Sequence, residues 1–457
     1  MDTVKISSQH IPLAYECDIC VIGGSCTGVF AAVSAAKLGA EAALVEQNGF
    51  FGGTATAGLV NVWHSIYDTA GKQQIIGGLT AEVIDRMKQK GTVNLYQVRS
   101  GIDHDKYAVF NSAELIMTLD RLVQEQKTVR PFLHSVFSEP VMENGSVKAV
   151  IIQDKSGRRA IRARYFIDAS GDGDCIARAD FSTRTEDHLQ PATTCFILNG
   201  LDEVKRLNPD FSLNKAAFNP EYPHALKNGF LWSSECPGNP GSTMIAGTRV
   251  HDADCSDADE FTSAEIEGRR QAQAILDIIR DNFKGGDSVG LTALPSHIGI
   301  RETRHASCMH RLSENEVLEG KRFPDAIANG SYRVDIHHSG RPGLTFRYLD
   351  GREVHIEPGK PDENGRWRAG QSKDPTFYQI PYRSLVPKDV PNVLATGRLI
   401  DADAGAYGAV RVMVNCNQTG EAAGTAAYCA LDSDAEVSKV DTNKLRDTMM
   451  QLGSIII

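Results

Sequence analysis

The sequence predicts an α/β protein, and three stretches predict it. Residues 17–46 read as strand, glycine turn, helix, strand and acid. Residues 147–174 read as a hairpin whose second strand runs into Asp168-Ala169-Ser170-Gly171-Asp172-Gly173-Asp174. Residues 392–431 return to a short apolar strand, a glycine turn and a helix of small residues. Between the last two, from about Gln190 to Tyr382, Gly, Pro and Asn become frequent and short mixed strands are expected. That change divides the chain at 1–190, 191–384 and 385–457, the middle part expected to be α+β with a mixed or antiparallel sheet.

The first stretch carries the most chemistry. An apolar run, Ile19–Ile22, enters Gly23-Gly24-Ser25-Cys26-Thr27-Gly28, and a small-residue helix follows from Val29 to Leu38. Gly39 stops it, Ala42–Val45 gives a second strand, and Glu46 closes the unit. This is the dinucleotide-binding βαβ pattern of Rossmann-like folds. Gly23 permits the tight turn, Gly28 lets the helix approach the sheet, and the helix start offers N–H groups and a positive dipole end to a pyrophosphate. Glu46 is placed to accept from a ribose 2′,3′-diol, and an acid there disfavours a 2′-phosphate. Ser25 stands where the middle glycine belongs; its short side chain narrows the phosphate approach, and its hydroxyl can donate to the phosphate. Gly52-Gly53-Thr54-Ala55-Thr56-Ala57-Gly58 follows directly. A loop this small lets the backbone lie along an extended ligand, which favours FAD over NAD.

Bulk properties bound the rest. The chain has 457 residues, 41% of them apolar and 23% charged, as in ordinary globular proteins. A net charge of −10 with no basic stripe argues against a nucleic-acid partner. No apolar run is long enough for a membrane span and no secretory leader is evident, so a cytoplasmic location is expected. Ten scattered cysteines suit a reducing compartment. Cys17-Asp18-Ile19-Cys20 reads better as buried small hydrophobes in a strand than as a redox dithiol, and no protein-held metal is expected.

Further along, Val62-Trp63-His64-Ser65 mixes aromatic and polar residues just past the small-residue loop. Helices are expected from Gly77-Gly78 to about Lys88 and from Asn111-Ser112, with a strand over Phe132–Val136. Val147–Gln153 and Ile161–Ile167 form the hairpin around a polar turn. Thr262-Ser263-Ala264-Glu265 reads as a capping box before a helix with Ile266, Ile275, Ile278 and Ile279 on its apolar face. Residues 409–431 read as one long helix whose Gly and Ala face must press against a sheet or a ligand.

Cys17–Gly58, Asp168–Asp174 and Asn392–Leu431, in this order, resemble the FAD-dependent oxidoreductases of the glutathione-reductase-like flavoprotein superfamily. Within it the resemblance is closest to a bacterial branch related to the fumarate reductase and succinate dehydrogenase flavoproteins. It implies a Rossmann-like FAD-binding domain built from both chain ends, with a substrate domain inserted between them. It places Gly23, Gly24, Ser25, Cys26, Thr27 and Gly28 on the pyrophosphate and Glu46 on the adenosine ribose. Gln47, Gly52, Gly53 and Thr54 would line the path toward the flavin, and Val136 would meet the adenine. Ala169-Ser170-Gly171 matches the family's Ala-Thr-Gly turn with Ser for Thr, while Gly397, Arg398 and Asp403 would approach the pyrophosphate and ribityl chain. Gly408, Val410, Arg411, Val412 and Met413 would begin the last helix, aimed at the isoalloxazine N1–C2=O edge, where a helix N-terminus stabilises negative charge. No second glycine fingerprint and no C-x-x-x-x-C pair appears, so electrons are expected to pass through the substrate, oxygen, a quinone or a partner protein.

Candidates for the chemistry come from the middle of the chain. On a strand, Arg301, Thr303 and His305 would share one face and Glu302 and Arg304 the other. Arg301 or Arg304 can clamp an anion bidentately, or form structural ion pairs. Asp335 and His337 alternate so as to face one cavity as an acid–imidazole pair, suited to proton relay. His64 lies early enough to line the flavin pocket; non-covalent FAD is assumed. Tyr378, Tyr382, Arg383 and Tyr407 are secondary candidates and read better as packing or capping residues. The expectation is two-electron transfer with a small polar substrate. A monooxygenase using NAD(P)H and oxygen is the first alternative, because Asp168–Asp174 also resembles the Asp-Gly turn of aromatic hydroxylases. A flavin-stabilised binding or electron-carrier subunit is the second.

Overall fold

The computed structural model describes residues 10–97, 106–227, 229–339, 342–388 and 390–457. Its centre is a seven-stranded sheet. Val129–Phe132, Ala42–Val45, Leu13–Ile22 and Gly157–Asp168 lie side by side in parallel, and Ser146–Asp154 and Val136–Glu143 continue antiparallel. Strand Gly157–Asp168 is long enough to serve two neighbours on the edge away from Leu13–Ile22. Its first half pairs with the hairpin, and its last three residues pair in parallel with Val393–Ala395 from the far end of the chain. Nearly every side chain of Ile19–Ile22 and Ala42–Val45 is buried on both faces, as a parallel sheet covered by helices requires.

Helix Cys26–Lys37 covers one face, and helix Met413–Ser433 lies across it. The glycines of the later helix press against helix Cys26–Lys37, while Ala430 meets Tyr165 of the central sheet. A Cβ at Gly420 would sit 2.1 Å from Thr27 O, and one at Gly424 2.0 Å from Ala31 O. So the two chain ends are joined twice, once in the sheet and once by helix packing.

The inserted part is antiparallel in every strand pair of its own. One four-stranded sheet (Trp232–Glu235, Ser242–Ala246, Cys195–Asn199, Gly290–Ala293) packs under helix Ala258–Asn282 with its own apolar core. A second joins Val334–His337, Leu344–Arg347, Arg352–Ile356 and Glu363–Arg366.

Four local expectations change. The strand placed at 132–136 is two strands that meet there, Val129–Phe132 and Val136–Glu143. Helix Ala258–Asn282 begins a turn before the expected capping box. Asp257 caps it by accepting from Asp259 N and Glu260 N, Thr262 bonds back to Ala258 O, and Ile266 is exposed. The expected helix 409–431 is two helices, Ala404–Val410 and Met413–Ser433, separated at Arg411-Val412. Residues 301–303 are not strand; only Arg304–Ala306 pairs, so Glu302 and His305 meet rather than diverge, 3.0 Å apart.

Candidate functional site

One cavity of about 1080 Å³ runs between the central sheet and the inserted part. At its first end the chain turns sharply off strand Leu13–Ile22. Gly23 has φ +99, and a Cβ on Gly28 would fall 1.8 Å from Gly23 O, so both positions exclude a side chain. Gly23, Ser25, Cys26 and Thr27 line the cavity, while Gly24 and Gly28 stand directly behind them. Ser25 is the N-cap residue of helix Cys26–Lys37, yet its side chain makes no capping bond. Gly52 N donates to Gly24 O at 2.9 Å, which folds Gly52, Gly53 and Thr54 against the turn.

Glu46 closes this end. Its carboxylate accepts from Gly24 N at 2.7 Å, Asn48 N at 2.7 Å and Asn48 Nδ2 at 2.8 Å. Burial pushes its pKa up, against the pull of the Asn48 and Gly24 hydrogen bonds. Gln47 and half-exposed Val136 line the cavity beside it. In the middle, Ala169, Ser170 and Gly171 face Gly397 and Arg398. Arg398 Nη2 donates to Asp172 Oδ1 at 2.9 Å, and its Nη1 is buried without a partner.

The other end is built by strand Val334–His337 and the break at Arg411-Val412. Arg411 Nη2 lies 3.3 Å from Asp335 Oδ2, and His337 Nε2 lies 3.3 Å from Asp335 Oδ1. Arg249 Nε donates to His337 Nδ1 at 3.4 Å. Arg301 donates to Pro191 O and Thr193 Oγ1, and Arg249 Nη1 to the same Thr193 Oγ1 at 3.0 Å. Val412, Met413, Cys416 and Asn417 bring the start of helix Met413–Ser433 into the same wall. No side chain caps that helix, so its first N–H groups and positive dipole end face the cavity. Asp335 and His337 therefore do share a cavity. His64 lines it too, its ring 5.3 Å from Tyr332 and 5.8 Å from Tyr107.

Four predicted site residues lie elsewhere. Arg304 latches the Asp172–Asp174 turn to Ser256 O. Asp403 caps helix Ala404–Val410 and also accepts from Glu314 N. Gly408 packs on the Asp335 backbone, where a Cβ would sit 2.7 Å from Asp335 O, and Val410 is core. All four stand behind the lining rather than in it. Tyr378, Tyr382 and Tyr407 are buried and donate to the carbonyls of Ala409, Val437 and Arg301, as packing residues do, and Arg383 pairs with Asp325. The ten cysteines are free and buried, and burial pushes Cys17 up to about 12, which suits a packing role over a redox one. Sequence reasoning missed Arg249. Nothing in Gly247-Thr248-Arg249-Val250 marks it; only His337 and Thr193, brought up from distant parts of the chain, give it a role.

The residues present fit a bound dinucleotide. The cradle at Gly23 and Gly28 admits no side chain, the orphaned Arg398 Nη1 awaits an acceptor, and two helix starts open on the cavity without side-chain caps. Sheet, glycine corner and two-ended construction define a Rossmann-like α/β protein. The chain belongs to the family described as FAD dependent oxidoreductase, whose profile matches residues 18–449, and so to a family of enzymes. The match is to the family as a whole and not to its fumarate reductase and succinate dehydrogenase relatives. No curated protein matches the chain. Among solved structures, a geranylgeranyl bacteriochlorophyll reductase-like protein of Thermoplasma acidophilum is 12% identical, over 96% of this chain and 82% of its own, with a TM-score of 0.47. A flavoprotein/dehydrogenase of Cytophaga hutchinsonii is 13% identical, over 95% and 83%, with a TM-score of 0.44. A p-nitrophenol 4-monooxygenase of Pseudomonas putida is 10% identical, over 95% and 84%, with a TM-score of 0.43. Among the described residues, no helix is long and apolar enough to cross a membrane.

Proposed function

We propose that the chain binds FAD non-covalently along this cavity and moves two electrons to or from a small polar organic substrate held at the Arg249–His337 end. The observation that carries the reading is that the glycine corner of the front helix and the start of the rear helix line one cavity. Bound there, FAD would supply hydride transfer at its N5. Gly23, Ser25, Cys26, Thr27 and Arg398 would hold its phosphates, Glu46 its ribose and Val136 its adenine. The uncapped start at Val412 and Met413 would stabilise negative charge on the flavin edge. Residues 1–190 and 385–457 would form the cofactor unit and 191–384 the substrate unit, whose side chains exclude water and orient the reactant.

The test is to purify the protein, read absorbance near 450 nm, and identify the flavin released on denaturation. Sugars, hydroxy acids and enoates are then screened anaerobically for bleaching. Yellow protein that releases FAD and bleaches with a small molecule is expected; colourless protein indifferent to added FAD overturns the reading. A second reading, a monooxygenase using NAD(P)H and oxygen, draws on the Gly171-Asp172 turn in the cavity wall. Rapid NADPH oxidation coupled to oxygen favours it. Reduction only by a protein partner favours an electron carrier.

A further inference from the structure

Four arginines meet at one end of the cavity around a single carboxylate. Arg249, Arg301, Arg333 and Arg411 all line it together with Asp335 and His337. Arg249 is the most enclosed, 3% exposed. Its Nη1 donates to Thr248 O at 2.6 Å and to Thr193 Oγ1 at 3.0 Å, and its Nε to His337 Nδ1 at 3.4 Å. Its Nη2 is buried with no partner at all. A buried guanidinium N–H left unmade is costly, and a site that keeps one is built for an acceptor it does not itself supply.

The same contacts fix the state of His337. A guanidinium has no acceptor, so Nδ1 must be the accepting nitrogen and the ring proton sits on Nε2. Nε2 lies 3.3 Å from Asp335 Oδ1, an electrostatic contact at imperfect hydrogen-bond alignment. Burial is the main force that lowers the His337 pKa, to about 3, with Arg301 and Arg249 acting the same way and Asp335 opposing. The imidazole is neutral and both its nitrogens face protein groups. Its one accepting nitrogen is committed to Arg249, so it offers a reactant no base. Four positive charges therefore face one negative one, and the site is short of an anion.

Its neighbours suit a flat body attached to that anion. In the antiparallel pair of Val334–His337 with Leu344–Arg347, Phe346 stands opposite Asp335 and Leu344 opposite His337. Cross-strand partners share a face, so both apolar side chains border the charged group. Tyr332, whose hydroxyl donates to Asp335 Oδ2 at 3.2 Å, continues that wall toward His64.

We propose that Arg249 is the receptor for a carboxylate of the substrate, flanked by Arg301 and Arg411, and that His337 acts by positioning Arg249 rather than by passing a proton. The proposal rests on the oxidoreductase reading only in taking this end of the cavity as the substrate end. Calorimetric titration of the purified protein with benzoate against benzamide, and succinate against succinamide, tests it. An anion preference of tenfold or more is expected in at least one pair. Arg249→Gln abolishes it, Arg249→Lys keeps part, His337→Asn retains it through an amide oxygen near the Nδ1 position, and His337→Leu loses it. With a turned-over substrate, His337→Asn leaves KM and kcat near the parent values, whereas His337→Leu raises KM and spares kcat. Equal binding of acid and amide in both pairs, no binding in either, or Arg249→Gln and Arg249→Lys both binding like the parent overturns the proposal, as does loss of kcat alone in His337→Asn. Absorbance near 450 nm on the same samples separates the two readings. Colourless protein that still selects carboxylates through Arg249 keeps the receptor and loses the oxidoreductase; yellow protein indifferent to carboxylates does the reverse.

Discussion

Glu421 is an acid with no exposure to speak of, on helix Met413–Ser433 beneath the start of helix Gly78–Gln89. Ser454 Oγ donates to it at 3.0 Å, and the backbone N–H groups of Leu79 and Thr80 also point at it. Burial outweighs those bonds and raises its pKa to about 7. The native state then holds a proton that the unfolded chain gives up nearer pH 4.5, so the contribution is full below about pH 4.5 and disappears as pH rises through about 7. We expect Glu421→Gln, which keeps the shape and cannot ionise, to remove on the order of 2–3 kcal/mol of that loss. Denaturant midpoints of both proteins across pH 4–8 check it, and parallel curves would refute it. Asp168, raised to about 6 mainly by burial, adds a slope of the same sign in both proteins. At this scale the sequence was readable where a residue's partners are close in the chain. Asp335 stands two residues from His337. Arg249 and Glu421 were not readable, because their partners stand on elements far away in the chain.

Helix packing sets the tolerance of whole elements. Alanine at Gly420 or Gly424 must push helix Met413–Ser433 off the backbone of Thr27 or Ala31. Each is expected to cost about 1–3 kcal/mol in urea unfolding and to lower flavin retention. Alanine at Gly365, with nothing within 4 Å of its Cβ, serves as a neutral control; equal effects at all three positions would remove the packing argument. The strands and helices around residues 17–46 were legible because each boundary has a local cause: a glycine, a cap or a change of period. The start of helix Ala258–Asn282 was misread because two local signals compete. Thr262 with Glu265 has the spacing of a capping box, yet Asp257 caps an earlier turn whose Asp259 and Glu260 suit the positive helix end. The break at Arg411-Val412 was hidden for a different reason. No proline or glycine stands there, and the chain bends where Arg411 reaches Asp335 on another sheet.

For the molecule as a whole, a ligand gripped by both chain ends couples their stabilities. FAD added to the stripped protein at about a hundred times its dissociation constant should raise unfolding free energy by about 2.7 kcal/mol. If FAD binds, as proposed, Gly424→Ala should weaken binding by displacing helix Met413–Ser433 from helix Cys26–Lys37; urea unfolding with and without FAD measures both, and an unchanged midpoint counts against a shared grip. The α/β class was legible from the glycine corner and the return of its pattern near residue 397. The meeting of the ends came from family resemblance, because no local rule says that residue 394 will pair with residue 167.

That pairing bears on how the protein is made. Leu394 joins Ile167 only after the intervening residues have left the ribosome, a wait on the order of 10–50 s at ordinary translation speed. Throughout it, the last turn of strand Gly157–Asp168 offers an unpaired edge and helix Cys26–Lys37 an uncovered flank. The inserted sheets, closed by neighbours in their own sequence, are free to form meanwhile. Until the rear segment arrives to shut it, the nascent nucleotide fold is a sticky half-product, and a cell that halts synthesis midway leaves that surface for chaperones to shield.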